Sequence, residues 1–253
     1  MTAPLVTCVI PVYNGARHVR HAVASVLAQA HGAIEVVVAD DGSTDETPEV
    51  VHSLDSRVVY LRQANAGTAA ARNLGLAHAR GTYVGFLDAD DRWHPEKLTR
   101  QLARFSARPE LGVSFTLIRN YWSDEVAPEH RPSDPALTRP VPGYVCPTML
   151  AHREIFERMG PFDARLRHAS EPDWILRATS AGVLIEMLPE VLVDRQLHLD
   201  NASSRNAARS YDEYLHLLKA WLDRRRHGAT VPGHDFGAHA SAGERPLEVD
   251  GRP

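Results

Sequence analysis

The sequence predicts a three-layer α/β fold around a mostly parallel sheet, and two observations carry that expectation. Short apolar runs rich in β-branched residues alternate with amphipathic stretches through the first hundred residues. Strands buried on both faces and joined by crossover helices read this way. The chain, 253 residues at 43% hydrophobic, can also enclose a sizeable core as one domain or one domain with a tail.

The elements follow in order. "LVTCVI" is the first strand, and residues 16–30 then set Val19, Ala22, Val23, Val26, Leu27 and Ala30 on one helical face. "IEVVVA" is the second strand, and the Ser/Thr/Asp-rich "DDGSTDETPEVVHSL" supplies a turn and a helix start. "RVVYLR" is a third strand, "GTAAARNLGLAHA" a helix and "YVGFLD" a fourth strand. "HPEKLTRQLARFSA" places Pro95 in a first helical turn and runs amphipathically to Ala107. After Pro109 the alternation breaks. "GVSFTLI" reads as a strand, and residues 122–143, rich in Pro, Asp, Glu and Ser, have no period and are expected to form a mobile loop over a site. "HREIFERMG" is a short helix closed by Gly160, residues 173–181 are another stopped by Gly182, and "VLIEML" and "EVLVDRQLH" are two more strands. Tyr211, Tyr214, Leu215, Leu218, Trp221 and Leu222 share one face of a last helix. Residues 227–253 hold few large apolar side chains and are expected to be disordered, leaving one domain over residues 1–226. There is no internal repeat.

Composition narrows the function. A net charge of −4 and a pI of 6.4 argue against a nucleic acid as main partner. No apolar stretch nears the roughly 20 residues that span a bilayer. The first strand starts too early to leave room for a signal peptide, and Cys8 and Cys146 lack ligand spacing and read as reduced and structural. A cytoplasmic location is expected. Arg224, Arg225 and Arg226 offer peripheral contact with an anionic membrane, although a solvated helix end explains them more simply.

Ligands of open α/β sheets bind beyond the carboxyl ends of the strands. Two acidic clusters stand there: Asp40 with Asp41, and Asp88, Asp90 and Asp91 in "FLDADDRW". Carboxylates packed this closely repel unless a cation or hydrogen-bond donors compensate. They either cap the next helix or hold a divalent metal. An Asp-x-Asp pair is too open for a closed cage, so Mg²⁺ or Mn²⁺ would complete its shell with water and substrate phosphates and neutralise a diphosphate leaving group. A G-x-x-x-x-G-K-[ST] loop and a G-x-G-x-x-G loop are both missing, which excludes P-loop NTPases and Rossmann dehydrogenases. Aspartyl phosphatases carry Asp-x-Asp after their first strand with Thr or Val two residues on; here Arg92 stands there, after the fourth strand.

Over residues 5–200 the chain resembles the family 2 glycosyltransferases, which have the GT-A fold. The resemblance lies in "VIPVYNGARHVRHAVASVLAQ", "VVVADDGSTDETPEV", "NAGTAAARNLGLAHARGTYVGFLDADD", "SEPDWILRA" and "RQLH", in the family's order and spacing. It implies a nucleotide-sugar donor, a metal on the Asp-x-Asp carboxylates and inversion at the anomeric carbon. Residues 1–109 would form the nucleotide-sugar-binding half and 110–226 the acceptor-side half. Pro11, Val12 and Tyr13 would then lie along the base and ribose. Asp41 or Asp40 would accept a hydrogen from the base, a turn cap being the alternative. Arg72 would face the base or diphosphate, or be a solvated helical charge. Asp88, with Ala89, would reach the ribose or metal, Asp90 would bind the metal, and Asp91 would share that role. Gly67 and residues 68–71 would let backbone approach the donor, or simply favour helix. His198 would be a further metal or diphosphate ligand, while His227, His234 and His239 read as solvated.

The family's catalytic base lies in a Glu-Asp-x-Asp-Trp/Phe-type motif. Anchoring on Asp173, Trp174 and Arg177 puts Glu171 at the base position and Ser170 where the family has Glu, whereas an ungapped match puts Pro172 there. Glu171 is thus the expected base, with helix-dipole complementation as the alternative and Asp173 as the next carboxylate. Trp93 and Trp174 are read as core before sugar-stacking residues. The expected activity is transfer from a UDP-sugar, before a GDP- or dTDP-linked one, to a glycan, lipid-linked, peptide or small-molecule acceptor. Two other readings compete: a non-catalytic GT-A-like binding module, favoured by the irregular "SEPDW", and a nucleotidyltransferase, whose Gly-rich basic loop "PVYNGARHV" does not supply.

Overall fold

The computed structural model describes residues 3–123, 125–131, 134–198 and 207–226. The expected disorder of residues 227–253 and its three histidines lie outside them. The first half follows the expected alternation: β1 (Val6–Val12), α1 (Val19–Leu27), β2 (Ile34–Asp40), α2 (Thr47–His52), β3 (Val58–Arg62), α3 (Thr68–His78) and β4 (Tyr83–Phe86). Strands β3, β2, β1 and β4 lie side by side and parallel.

All seven residues of β1 are buried because helices cover both faces of the sheet. Cys8, Ile10 and Val12 share one core with Val23 of α1, Val51 of α2 and Leu98 of α4 (Lys97–Ala107). Val9 faces the other core, with Ala69 of α3, Phe156 of α5 (Arg153–Met159) and Trp174 of α6 (Ser170–Ser180). That division makes three layers. Helix α3 lies so close to β1 that a β-carbon at Gly75 would stand 2.3 Å from Val9 Cγ1.

Four strands complete the sheet as β4-β8-β6-β9-β5: β8 (Leu150–His152), β6 (Leu111–Trp122), β9 (Leu184–Leu197) and β5 (Arg92–Trp93). β7 (Val141–Gly143) pairs with β6. This part is mixed: β6 and β9 are parallel, while β8, β7 and β5 join antiparallel.

Several expectations need correction. β5, β7 and β8 have two or three residues each, too few to show a period. The two strands expected at the end form the single β9, whose step from Leu188 to Val191 against Thr116 and Leu117 is absorbed as a bulge. Helix α4 starts at Lys97, so Pro95 lies ahead of it. Helix α6 starts at Ser170, which puts Glu171 inside its first turn. Among the described residues, 122–143 carry short elements that no period in the sequence announced. They hold single 3₁₀ turns at Pro128–His130 and Pro135–Thr138, β7, and a buried Val126. Ser123 N–H donates to Leu197 O (2.9 Å) and Asn120 Nδ2 to Leu137 O (2.7 Å), so hydrogen bonds rather than an apolar stripe fix the segment.

The last helix, α7 (Ala207–Arg226), leaves Tyr214, Leu215 and Leu222 exposed, so the expected apolar face does not pack inward as a whole. No helix among the described residues is long and apolar enough to cross a membrane.

Candidate active site

The loops after β1, β2 and β4 share one edge of the parallel sheet. The first two are stitched together by side chains of "DGSTDET". Asn14 N–H donates to Ser43 Oγ (2.9 Å), Gly15 N–H to Thr47 Oγ1 (2.9 Å) and Ala16 N–H to Asp45 Oδ2 (3.2 Å). Asn14, at φ 50°, accepts from Thr44 N–H (2.8 Å). Pro11 and Val12 are buried in the floor, so of the three residues expected along the base only Tyr13, 53% exposed, presents its side chain.

The Asp40–Asp41 cluster turns inward. Asp40 is fully buried and accepts from Ser43 N–H (2.7 Å) and Tyr60 OH (2.6 Å). The turn-cap alternative describes it, and it is corrected out of the donor-binding set. Asp41 Oδ1 accepts from Gln63 Nε2 (2.7 Å) and Ala66 N–H (2.9 Å), and Oδ2 from Gly67 N–H (2.8 Å). A carboxylate has about four acceptor positions, so Oδ2 keeps one. Gly67 has φ 96°, and this left-handed turn delivers the entry of α3 to Asp41.

The second cluster divides. Asp91 is 3% exposed and accepts from Gln196 N–H (3.1 Å), clamping β9. Burial, then Asp90 and Asp88, hold its carboxyl well above the usual range. It is a buried structural acid, which corrects its assignment to the metal set. Asp90 and Asp88 stay open to the crevice, with side chains 28% and 37% exposed. Asp90 Oδ2 lies 3.0 Å from His198 Nε2, so the end of β9 brings that imidazole to the strand-end carboxylate. Ala89, half-buried, packs on the core between them.

Helix α3 and helix α6 meet beside this pair. Arg72 is 5% exposed, not a solvated charge; its Nη2 donates to Asp88 Oδ1 (2.8 Å) and its Nη1 pairs with Glu171 Oε1 (2.6 Å). Burial opposes its charge, but the carboxylates of Glu171 and Asp88 outweigh that and keep it protonated. Burial raises the Asp88 carboxyl, and Glu171 and Asp90 add to the rise against Arg72. Cys146 is fully buried, and burial lifts its thiol well above the usual range, with Glu171 adding to the rise. Asp173 instead pairs with Arg177 of its own helix (2.8 Å). Trp93 and Trp174 are buried core residues.

Among the described residues no group of three or more His, Cys, Asp and Glu side chains could by itself hold a metal ion. Asp90 and His198 nonetheless fit an open site. Their 3.0 Å separation is that of two adjacent corners of an octahedron with bonds of about 2.1 Å, which leaves the other positions for water and phosphate.

Three contributors were missed from sequence. His18, at the start of α1, stacks on His198 with centroids 5.3 Å apart and planes 15° apart. Burial and then His198 lower its imidazole pKa. Cys146 reaches Glu171 from a 3₁₀ turn, and Glu213 reaches α6 from α7. No local pattern marks any of them.

The family model described as Glycosyl transferase family 2 matches residues 7–167. An uncharacterized glycosyltransferase of Rickettsia prowazekii is 30% identical over 237 residues, covering 88% of this chain and 73% of that relative. The crystal structure of S. aureus TarS 1–349 in complex with UDP-GlcNAc superimposes with TM-score 0.67 at 19% identity, over 84% of this chain and 65% of that one. A mannosyltransferase from Pyrobaculum calidifontis, in complex with GDP-Man and Mn²⁺, gives TM-score 0.69 at 19% identity, over 92% and 67%. The chain thus spans about two thirds of these solved chains, whose likeness shows the fold.

Proposed function

The chain belongs to glycosyl transferase family 2 and has the GT-A fold, and from that premise we propose that it carries out metal-assisted, inverting transfer of a sugar from a nucleoside diphosphate donor to an acceptor hydroxyl. One observation carries the reading: Arg72 joins the strand-end Asp88 to Glu171 of α6, beside the Asp90–His198 pair. UDP is the favoured nucleotide because TarS binds UDP-GlcNAc, with the GDP-Man of the mannosyltransferase as runner-up. The Mn²⁺ of that mannosyltransferase supports a divalent ion here, Mn²⁺ or Mg²⁺. Its relatives' description as glycosyltransferases favours an enzyme over a binding module.

Asp90 and His198 would hold the ion, which when bound offsets the charge of the departing diphosphate. Tyr13 and the spare acceptor position of Asp41 would receive the base. Glu171 takes the acceptor hydroxyl's proton as that oxygen bonds to the anomeric carbon; the carbon–diphosphate bond breaks and its electron pair leaves on the diphosphate. One displacement inverts the centre. Arg72 aims Glu171 through their ion pair. Asp173 serves less well, because its carboxylate is turned back to Arg177. The reaction fits a cytoplasmic enzyme, with any membrane contact peripheral and through the end of α7.

Product assays with a panel of UDP- and GDP-sugars test this. Glu171→Gln should lose turnover by about 10²-fold or more, with donor affinity kept. Asp173→Asn should stay within a few-fold of the parent. The reverse pattern moves the base to Asp173, and undiminished turnover in both variants removes general-base catalysis from α6.

A further inference from the structure

Helix α6 begins without a cap of its own. Its N-cap residue, Ala169, has no side-chain acceptor, although the first amides of any helix need one. The acceptor comes from 44 residues away. Glu213 Oε2 accepts from Ala169 N–H (2.8 Å) and His168 N–H (2.6 Å), and Oε1 accepts from Arg167 N–H (3.1 Å). Three successive backbone donors thus converge on one carboxylate of α7. At the other end of α6, Trp221 Nε1 of α7 donates to Ser180 Oγ (3.0 Å). Helix α7 therefore holds α6 at both ends, and both helices lie beyond the residues matched by the family model.

The next residues after this clamp are Ser170 and Glu171. Glu171 must keep its contact with Arg72 while facing an acceptor, and Arg72 is fixed by a different helix and by Asp88. Within α6, Trp174 Nε1 donates to Gly160 O (3.0 Å) and Arg177 Nη2 to Pro161 O (2.8 Å), which hold the body of the helix, while the three-donor clamp holds the residues that enter it. An ångström of slippage in a reacting group costs about 10²-fold in rate. We propose that Glu213 is a positioning residue: its carboxylate seats the N-terminus of α6 and thereby places Glu171 for proton transfer. The inference rests on the reading of Glu171 as the base.

The test uses the full chain, with release of UDP from whichever UDP-sugar the parent hydrolyses. Glu213→Gly should lower kcat about tenfold or more, with UDP·Mn²⁺ affinity by calorimetry unchanged within twofold. Formate should restore much of the lost rate by filling the vacated carboxylate position, and chloride should not. Amides in residues 167–171 should exchange faster in the variant and slow again with formate. Trp221→Phe keeps the ring but loses the other anchor; it should lower the melting temperature with kcat near normal, as a purely structural brace would. If Glu213→Gly does not fold, Glu213→Gln, which keeps one acceptor oxygen, should show a smaller kcat loss with normal nucleotide affinity. Normal kcat in the Glu213 variants, while Glu171→Gln is inactive, overturns the inference and leaves the base in place. A kcat loss that formate cannot restore and that only tracks lost stability overturns it too. Full turnover in Glu171→Gln overturns the base and, with it, the inference.

Discussion

The two strand-end acid clusters look alike in the sequence and end up as opposites in the fold. Asp40 and Asp41 receive five hydrogen bonds between them, all from their own chain, and are almost wholly buried. Asp88 and Asp90 face the crevice, Asp88 against Arg72 and Asp90 against His198, while Asp91 of the same cluster is buried. A carboxylate such as Asp40, buried and bonded to Ser43 N–H and Tyr60 OH, is a structural cap, while its neighbour Asp41 keeps one acceptor position. A carboxylate left partly open beside an imidazole can take a cation. Supply of donors separates the clusters, not their composition.

Exchanging the roles should break this comparison. Asp90→Ala should lower Mn²⁺-dependent UDP affinity by about 10²-fold in calorimetry, in the range known for loss of metal-site partners, with melting temperature nearly unchanged. Equal binding with EDTA, in parent and variant alike, would place Asp90 among the structural acids. Asp40→Ala should do the converse. It leaves Ser43 N–H and Tyr60 OH without their acceptor, costing about 2–4 kcal/mol in urea denaturation, while the folded fraction binds UDP normally. A large loss of UDP affinity without loss of stability would return Asp40 to the donor site.

Lys97 sharpens the same point with the opposite sign. It is fully buried, over the Trp93 ring (4.1 Å) and hydrogen-bonded to Gln101 Oε1 (2.8 Å), with no carboxylate paired to it among the described residues. Burial pushes its pKa down to about 7, with Cys8 opposing weakly. Between that value and the unfolded value of about 10.4 the unfolded chain binds more protons, so stability rises with pH. The penalty is full below pH 7 and fades toward pH 10. Lys97→Met should remove a slope of up to about 1.4 kcal/mol per pH unit, read as the parent-minus-variant difference in urea stability from pH 7 to 9. A flat difference would mean that Lys97 is solvated in the fold.

Much of the first half was legible in the sequence for a simple reason. A strand buried on both faces must be apolar throughout, and "VTCVIPV" and "IEVVVAD" are nearly so. The candidate site residues Asp88, Asp90, Arg72 and Glu171 came from a family pattern, as did His198 at the end of a strand. What periodicity could not show was the fate of each polar group. β5, β7 and β8 exist through pairing with distant strands, and residues 122–143 are held by scattered hydrogen bonds.

By itself, then, the sequence determined the layered α/β architecture, the strand ends at which acids gather, and the kinship of residues 7–167. These follow from local apolar period and from short contiguous motifs. Only the tertiary structure decided which acids remain open, that Arg72 bridges Asp88 and Glu171, and that His18, Cys146 and Glu213 belong near the site. Each of those depends on a partner far along the chain, and a hydrogen bond across 44 residues leaves no trace in local spacing.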